Sequence, residues 1–127
     1  LQRSLKLSSI VISHDPALIG QVCSRIIVMY AGRVMEEAPT AAIFDEPKNP
    51  YTKRLLTSIM HVQSGHKKLG GIPGKPPGLV NPPPGCRFWP RCDYAQPVCK
   101  EKQPQLTEVG TKHYAACHML GVINDKG

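Results

Sequence analysis

The first part of the chain alternates between apolar, β-branched runs and a stretch of helical spacing. Residues 9–12 form a short apolar run that is typical of a strand buried on both faces. The Asp15–Pro16 step predicts a helix start, because Asp caps a first turn and Pro suits the first helical position. Residues 25–30 predict another strand, and Ala31-Gly32 predicts a tight hairpin to a partly exposed strand over 33–37. The pattern indicates an α/β fold.

Two helices and a linker are predicted for the middle of the chain. Thr40 is positioned to cap a short helix that Pro47 stops. A second helix is expected after Asn49-Pro50, running to about Val62, with apolar residues on one side that pack on a core. These residues are Tyr51, Leu55, Leu56, Ile59 and Val62. The Gly- and Pro-rich stretch 63–78 predicts a linker with at most one extended piece around Ile72.

Four cysteines are concentrated in the last third of the chain, in a Pro-rich segment with almost no apolar run. They are Cys86, Cys92, Cys99 and Cys117, spaced C-x5-C-x6-C-x17-C. Such a segment cannot build a core of its own, so cross-links or a metal group must hold residues 79–120 together. Zinc sites favour pairs two to four residues apart, disulfides need an oxidising compartment, and iron–sulfur clusters tolerate wider spacing. From the residues alone, the three alternatives stay open.

Composition and charge narrow the class of protein. The 127 residues include 13 Pro and 11 Gly, mostly after residue 64, which favours one α/β piece with an irregular appendage. The net charge is +7, but the basic residues are scattered and form no aromatic-interleaved basic helix, so we expect no specific nucleic-acid binding. An affinity for an anionic membrane surface agrees better with this charge. No signal peptide or run of membrane-spanning length is present in the sequence.

Two groups of motifs resemble known proteins. Residues 12–15 (Ile-Ser-His-Asp) and 27–36 resemble the end of an ABC-transporter ATPase domain. Residues 47–56, Ile-Pro-Gly at 72–74 and the cysteine frame resemble the C-terminal extension of the ATPase subunits of oligopeptide and dipeptide importers. The extension is the more specific match, because Pro-x-Gly-Cys-x-Phe-x-x-Arg-Cys and His-x-x-x-Cys-His both occur intact. The resemblance covers nearly the whole chain.

The resemblance implies an α/β C-terminal fragment of an ABC-type P-loop ATPase domain, followed by an irregular, Pro/Gly-rich cysteine extension. On this basis residues 1–46 are the end of the ATPase domain, 47–78 a helix and linker, 79–120 the four-cysteine extension and 121–127 a tail. The sequence holds no G-x-x-x-x-G-K-[ST] phosphate loop, no Ser-Gly-Gly signature and no apolar strand ending in Asp-Glu. We therefore expect the fragment alone to be inactive, and to be part of a longer ATP-hydrolysing subunit.

His14 is the catalytic residue that the resemblance implies. In the family this histidine reaches the γ-phosphate of ATP and helps to align the attacking water, while the base and the magnesium ligands lie upstream of residue 1. The local pattern alone favours a structural histidine that supports the turn begun by Asp15. Cys23, in the following helix, is assigned to packing.

For the four cysteines the resemblance implies a [4Fe–4S] cluster held by Cys86, Cys92, Cys99 and Cys117, with zinc, or free or partly oxidised thiols, as the alternatives. Phe88 and Trp89 are expected to shield the cluster from water. His113 and His118 are possible substitute ligands, although a hydrogen bond to a cluster sulfur or to a neighbouring carbonyl explains them more simply.

The function implied is that of an ATP-binding subunit, using ATP and Mg, that powers the import of dipeptides or oligopeptides. Its expected partners are permease subunits and a second ATPase subunit, in a homodimer or a homologous heterodimer, at the cytoplasmic face of the membrane. One alternative is a stand-alone metal- or Fe–S-binding interaction module. Another is the ATPase subunit of a related importer of nickel or another solute, because the extension is shared among these systems.

Overall fold

The computed structural model describes residues 2–63 and 71–123, with side chains described for 4–59 and 71–123. The described part contains short helices and four strands. In chain order they are α1 (Gln2–Leu5), α2 (Pro16–Val22), β1 (Arg25–Tyr30), β2 (Arg33–Pro39), α3 (Thr40–Asp45), α4 (Pro50–Gln63), a 3-10 turn (Trp89–Arg91), α5 (Pro97–Glu101), β3 (Leu106–Gly110), β4 (His113–Ala116) and α6 (Leu120–Ile123). None of the described helices combines the length and the apolar character needed to cross a bilayer.

The strands form one antiparallel sheet in the order β1-β2-β4-β3. The predicted β1–β2 hairpin is confirmed, and its turn residues Ala31 and Gly32 take positive φ angles of 47° and 76°. The extension was predicted to be irregular, yet it contains the hairpin β3–β4, whose second strand pairs with β2. Little in the residue pattern indicates this hairpin, because β3 is mostly exposed and lacks an apolar face.

The strand predicted over residues 9–12 is not formed. Ile10 and Ile12 are 93% and 95% exposed, and the segment has no regular structure. A strand buried on both faces needs neighbouring strands to pair its backbone groups and to cover its side chains. No strand among the described residues lies beside this segment.

The helix predictions are confirmed except for one cap. Asp15 caps α2, its Oδ1 accepting from the N–H groups of Ala17 at 2.9 Å and Leu18 at 3.3 Å. The prediction that Thr40 caps α3 is wrong: Thr40 is already the first helical residue, and its hydroxyl donates to the Cys23 carbonyl at 2.5 Å. Helix α4 runs from Pro50 to Gln63, as the apolar spacing indicated, although the side chain of Val62 lies outside the described ones.

The core consists of two adjoining clusters on the sheet. The first joins the inner face of β1 to helices α3 and α4, and its buried members are Ile26, Val28, Ala38, Ile43 and Leu56. The second is built from Tyr30, Met35 and Phe88, with Cys86 and Cys92 packed against it. The ring of Phe88 lies 5.4 Å from that of Tyr30 and 5.3 Å from that of Tyr51. The cysteine extension thus anchors itself on the core of the preceding segment.

Candidate functional site

Four cysteine side chains from separate stretches of the chain line one small cavity, which we call the cysteine cavity. Cys86 and Cys92 flank the 3-10 turn, Cys99 lies in α5, and Cys117 directly follows β4. Apolar side chains, including those of Met35, Phe88 and Ala116, form much of the remaining wall. The structure therefore brings together all four cysteines that the sequence analysis grouped.

Close backbone packing at Gly85 brings the first cysteine against α5. A Cβ atom at position 85 would lie 2.2 Å from the Cys99 carbonyl oxygen and 2.5 Å from the carbonyl carbon of Lys100. The neighbouring Cys86 N–H donates to that same Cys99 oxygen at 2.8 Å. Gly85 is thus required here for close approach, since any side chain would push the Cys86 loop away from α5.

Backbone N–H groups lower the pKa at three of the four sulfurs. The N–H groups of Phe88 and Trp89 act on the Cys86 thiol, and that of Tyr94 acts on the Cys92 thiol. Cys117 accepts from the N–H of Met119 at an N···S distance of 3.3 Å. Because a donated N–H stabilises negative charge on sulfur, this arrangement favours the thiolate form that binds metals.

Burial acts in the opposite direction on the same thiols. It raises the pKa of Cys86, Cys92 and Cys117. At Cys117, burial together with the other cysteines of the cavity brings the pKa to about 11. Without a cation these groups are therefore neutral thiols at neutral pH. A bound metal reverses the balance, because its charge stabilises the thiolates.

The cysteine cavity is small, and its side chains do not converge on a ready-made metal centre among the described residues. Among the described residues, no three His, Cys, Asp or Glu side chains lie close enough together to share one metal ion. The cavity volume is about 20 Å³, which accommodates about one water molecule, so a larger group requires its loops to move apart. All five cysteines are free thiols, so no disulfide joins them in this structure.

The two histidines near the cavity make hydrogen bonds to other groups. The Nε2 atom of His113 lies 2.6 Å from Glu36 Oε1, and that of His118 lies 2.8 Å from the Lys102 carbonyl oxygen. His118 also lines the cysteine cavity. The His118 contact is the carbonyl hydrogen bond that the sequence analysis gave as the simpler alternative to ligation, and His113 bonds a carboxylate in its place.

Two of the other residues singled out in the sequence line the cavity, and two lie outside its wall. Phe88 is buried and Trp89 half-buried, and both line the cavity. His14 is exposed in the segment before α2 and is not part of the cavity wall, so its role at a nucleotide stays a prediction. Cys23 is half-buried at the end of α2, where its N–H donates to the Ile19 carbonyl at 2.9 Å.

Sequence reasoning missed a buried polar network beside the cavity. Glu36 is completely buried: Oε1 accepts from the Lys48 N–H at 2.6 Å and contacts His113, while Oε2 accepts from the Asn49 N–H at 3.0 Å. Asn49 is 1% exposed and lines the cavity. The one available signal was that Asn49 lies in the Pro-Lys-Asn-Pro-Tyr stretch that carried the resemblance.

Two arginines of the Cys86–Cys92 loop were also missed. Arg91 donates from Nε to the Pro73 carbonyl at 2.7 Å, from Nη2 to the Ile72 carbonyl at 2.7 Å, and from Nη1 to the Tyr30 hydroxyl at 3.0 Å. Arg87 donates to the Ala31 carbonyl in the β1–β2 turn. The cysteine loop is thereby tied both to the sheet and to residues 72–73.

Comparison with protein families gives a match over the middle of the chain. The family described as "Oligopeptide/dipeptide transporter, C-terminal region" matches residues 35–99, just over half of the sequence. The matched range begins on β2 and includes three of the four cysteines of the cavity.

Individual relatives align over most of the chain. It is 40% identical to the dipeptide transport ATP-binding protein DppD of Caldanaerobacter subterraneus over 94% of the chain and 36% of that relative. The DppD protein of Haemophilus influenzae is 41% identical over 100% of the chain and 38% of its own length. A probable peptide ABC transporter ATP-binding protein of Sinorhizobium fredii is 43% identical over 84% of the chain and 32% of its own length. The chain thus spans about a third of the length of these relatives.

Proposed function

The chain belongs to the oligopeptide/dipeptide transporter C-terminal region family, and on this basis we propose that it is the C-terminal part of an ATP-binding subunit that powers peptide import. The observation that carries the proposal is the alignment of 94% and 100% of the chain with two dipeptide transport ATP-binding proteins. The complete subunit binds ATP and Mg and hydrolyses ATP, and dipeptides or oligopeptides are its transported substrates.

Within this subunit, His14 contacts the γ-phosphate and orients the attacking water. An imidazole suits the task, because one nitrogen can donate to a phosphoryl oxygen while the other stays hydrogen-bonded to a neighbour. The exposure of His14 supports this role, since the side chain is available to a ligand. The subunit works with permease subunits and a second ATPase subunit at the cytoplasmic face of the membrane.

The four cysteines of the cavity hold a [4Fe–4S] cluster in this proposal. Support comes from the meeting of four thiols in a largely apolar cavity, from the Met119 N–H donated to the Cys117 sulfur, and from the backbone N–H groups that lower the pKa of Cys86 and Cys92. A cubane offers each thiolate its own iron corner, so its ligands need not converge on one point as they must around zinc. When bound, the cluster supplies iron–thiolate bonds that join the Cys86–Cys92 loop, α5 and the end of β4.

The ATPase proposal is tested on the subunit extended upstream of residue 1. We expect it to hydrolyse ATP and the 127-residue chain alone to show no turnover, because the phosphate loop and magnesium ligands are not in this sequence. His14→Ala should lower kcat by roughly ten- to a thousand-fold, as for a lost transition-state hydrogen bond. An unchanged kcat would make His14 merely structural, and turnover by the chain alone would overturn the assignment.

The cluster proposal is tested by metal analysis of the anaerobically prepared subunit. We expect brown protein with about four iron and four sulfide per chain, bleaching in air. Replacing any one of Cys86, Cys92, Cys99 or Cys117 by Ser should sharply reduce the iron and sulfide contents, whereas Cys23→Ser, the matched control, should leave them unchanged. One tightly held zinc per chain would select the zinc alternative. Protein that holds neither iron nor zinc would refute both metal hypotheses.

A further inference from the structure

The pairing between β2 and β4 stops at an inserted side chain. The two strands pair through Glu36↔Ala115 and Glu37↔Tyr114, so Met35 and Ala116 would form the next antiparallel pair. At that point the Nδ2 group of Asn49 donates to the Met35 carbonyl at 3.1 Å and to the Ala116 carbonyl at 2.9 Å. The amide therefore bridges the two strands where their direct pairing ends.

The orientation of this amide is fixed by its partners. Oδ1 of Asn49 accepts the N–H of Tyr51 at 2.9 Å, in the first turn of α4, while both Nδ2 hydrogens face carbonyl oxygens. The reverse orientation would oppose oxygen to oxygen on one side and N–H to N–H on the other. The backbone N–H of Asn49 is bound to Glu36, so the residue is held from both sides.

The position of Asn49 bears directly on one cysteine. Cys117 follows Ala116, whose carbonyl Asn49 holds, and its sulfur lines the cysteine cavity together with Met35, Asn49 and Ala116. We propose that Asn49 is a positioning residue for the cysteine cavity: its amide ends the β2–β4 pairing and directs the Cys117 thiol into the cavity. This inference deepens the proposed cluster site and rests on it for its metal readout, but not for its thiol readout.

The buried Glu36 binds the opposite end of β4 from the one that Asn49 binds. Its Oε1 lies 2.6 Å from His113 Nε2, at the first residue of β4, and its Oε2 accepts the Asn49 N–H. The short strand is thus held at both ends by side chains, and the carboxylate at one end also accepts the backbone N–H of the residue at the other. These bonds add to the two residue pairs that join β4 to β2.

The test compares thiol reactivity at individual cysteines in the apo form of the complete subunit. Asn49→Asp replaces the NH2 group by a carboxylate oxygen, which faces the Met35 and Ala116 carbonyl oxygens and repels them. Asn49→Ser replaces the amide by a shorter hydroxyl, with a single hydrogen to donate and no added charge. In both variants we expect Cys117 to be alkylated about ten-fold faster or more, measured residue by residue by mass spectrometry, with Cys23 unchanged. Asn81→Asp, the same change at an exposed position, should leave all rates as they are.

The outcomes separate positioning from general destabilisation. An unchanged Cys117 rate in both variants would overturn the proposal, and so would an equal acceleration at all five cysteines in Asn49→Ser. If Asn49→Asp fails to fold, Asn49→Ser alone decides. Where the unaltered subunit holds iron and sulfide, both variants should retain less and show a weaker cluster absorption band. A subunit that never holds a cluster would refute the cluster proposal, while the alkylation rates would still decide the role of Asn49.

Discussion

At the scale of single residues, the cysteine cavity balances two opposed effects on sulfur. Burial favours neutral thiols at Cys86, Cys92 and Cys117, while the N–H groups of Phe88, Trp89, Tyr94 and Met119 favour thiolates. Neither effect alone identifies a metal site, since buried structural cysteines also have raised pKa values. In the proposed cluster site, the nearby N–H groups would offset part of the cost of burying thiolates.

The raised pKa of Cys117 predicts a pH dependence of stability in the apo subunit. Its pKa is about 11 in the folded chain against 9.0 in the reference state, so folding favours the protonated thiol. The associated stability is fully present below about pH 9 and is lost as the pH rises towards 11. After allowance for partial exposure, we expect a loss of about 1–2 kcal/mol over this window.

Urea denaturation of the apo subunit at several pH values provides the measurement. Cys117→Ala should lose less unfolding free energy between pH 9 and 11 than the unaltered protein does. Cys23→Ala, the control, should lose as much as the unaltered protein. Parallel curves for the unaltered protein and Cys117→Ala would contradict the assigned shift.

The grouping of the four cysteines could be predicted from the sequence, but their supports could not. The chain has five cysteines, and four of them lie between residues 86 and 117, so the cysteines themselves indicate the site. Glu36 and Asn49 are buried polar residues whose role depends on contacts with His113 and Ala116, which are 77 and 67 residues away in sequence. No local pattern encodes such pairings, and a glutamate in a hairpin strand is normally exposed.

At the scale of elements, the sequence predicted helices well, because their signals lie within a few residues. It predicted strands less well where a strand needs a distant partner. Asp15–Pro16 and the apolar spacing of α4 specified helices, because caps and amphipathic spacing act within a few residues. Residues 9–12 have the composition of a strand, but they form none because no described strand lies beside them. The hairpin β3–β4 lacks an apolar pattern, yet its strands form because β4 can pair with the edge of β2. Strand formation thus depended on neighbours that the sequence does not reveal.

The Cys86–Cys92 loop acts at this scale as a clamp on residues 72–73, and Arg91 is its central contact. Arg91→Lys keeps the charge but loses the planar set of donors that reaches two carbonyls and the Tyr30 hydroxyl. We expect limited proteolysis with thermolysin at the exposed Leu79 and Val80 to become several-fold faster in the complete subunit. Arg33→Lys, at an exposed position on β2, is the matched control. Equal cleavage rates in both variants would show that Arg91 does not hold this segment.

At the scale of the whole molecule, the outer face of β1 is apolar and exposed. β1 is the end strand of the described sheet, and its outward residues Ile27 and Met29 are 55% and 57% exposed. Ile10 and Ile12, in the segment before α2, are also almost fully exposed. Patches of this kind usually contact another part of a protein or cause association. The relatives, of which this chain covers little more than a third, have ample additional chain to cover it.

We therefore expect the 127-residue chain alone to self-associate and the upstream-extended subunit to do so much less. Light scattering after size-exclusion chromatography should show oligomers that grow with concentration for the chain alone. Replacing Ile27 and Met29 together by Glu should return it towards a monomer, because charges on an end strand oppose edge-to-edge pairing. The same double change at Leu79 and Val80, which are also exposed and apolar but lie outside the sheet, should have little effect. If the Leu79 and Val80 pair relieves association equally well, the outer face of β1 is not the surface responsible.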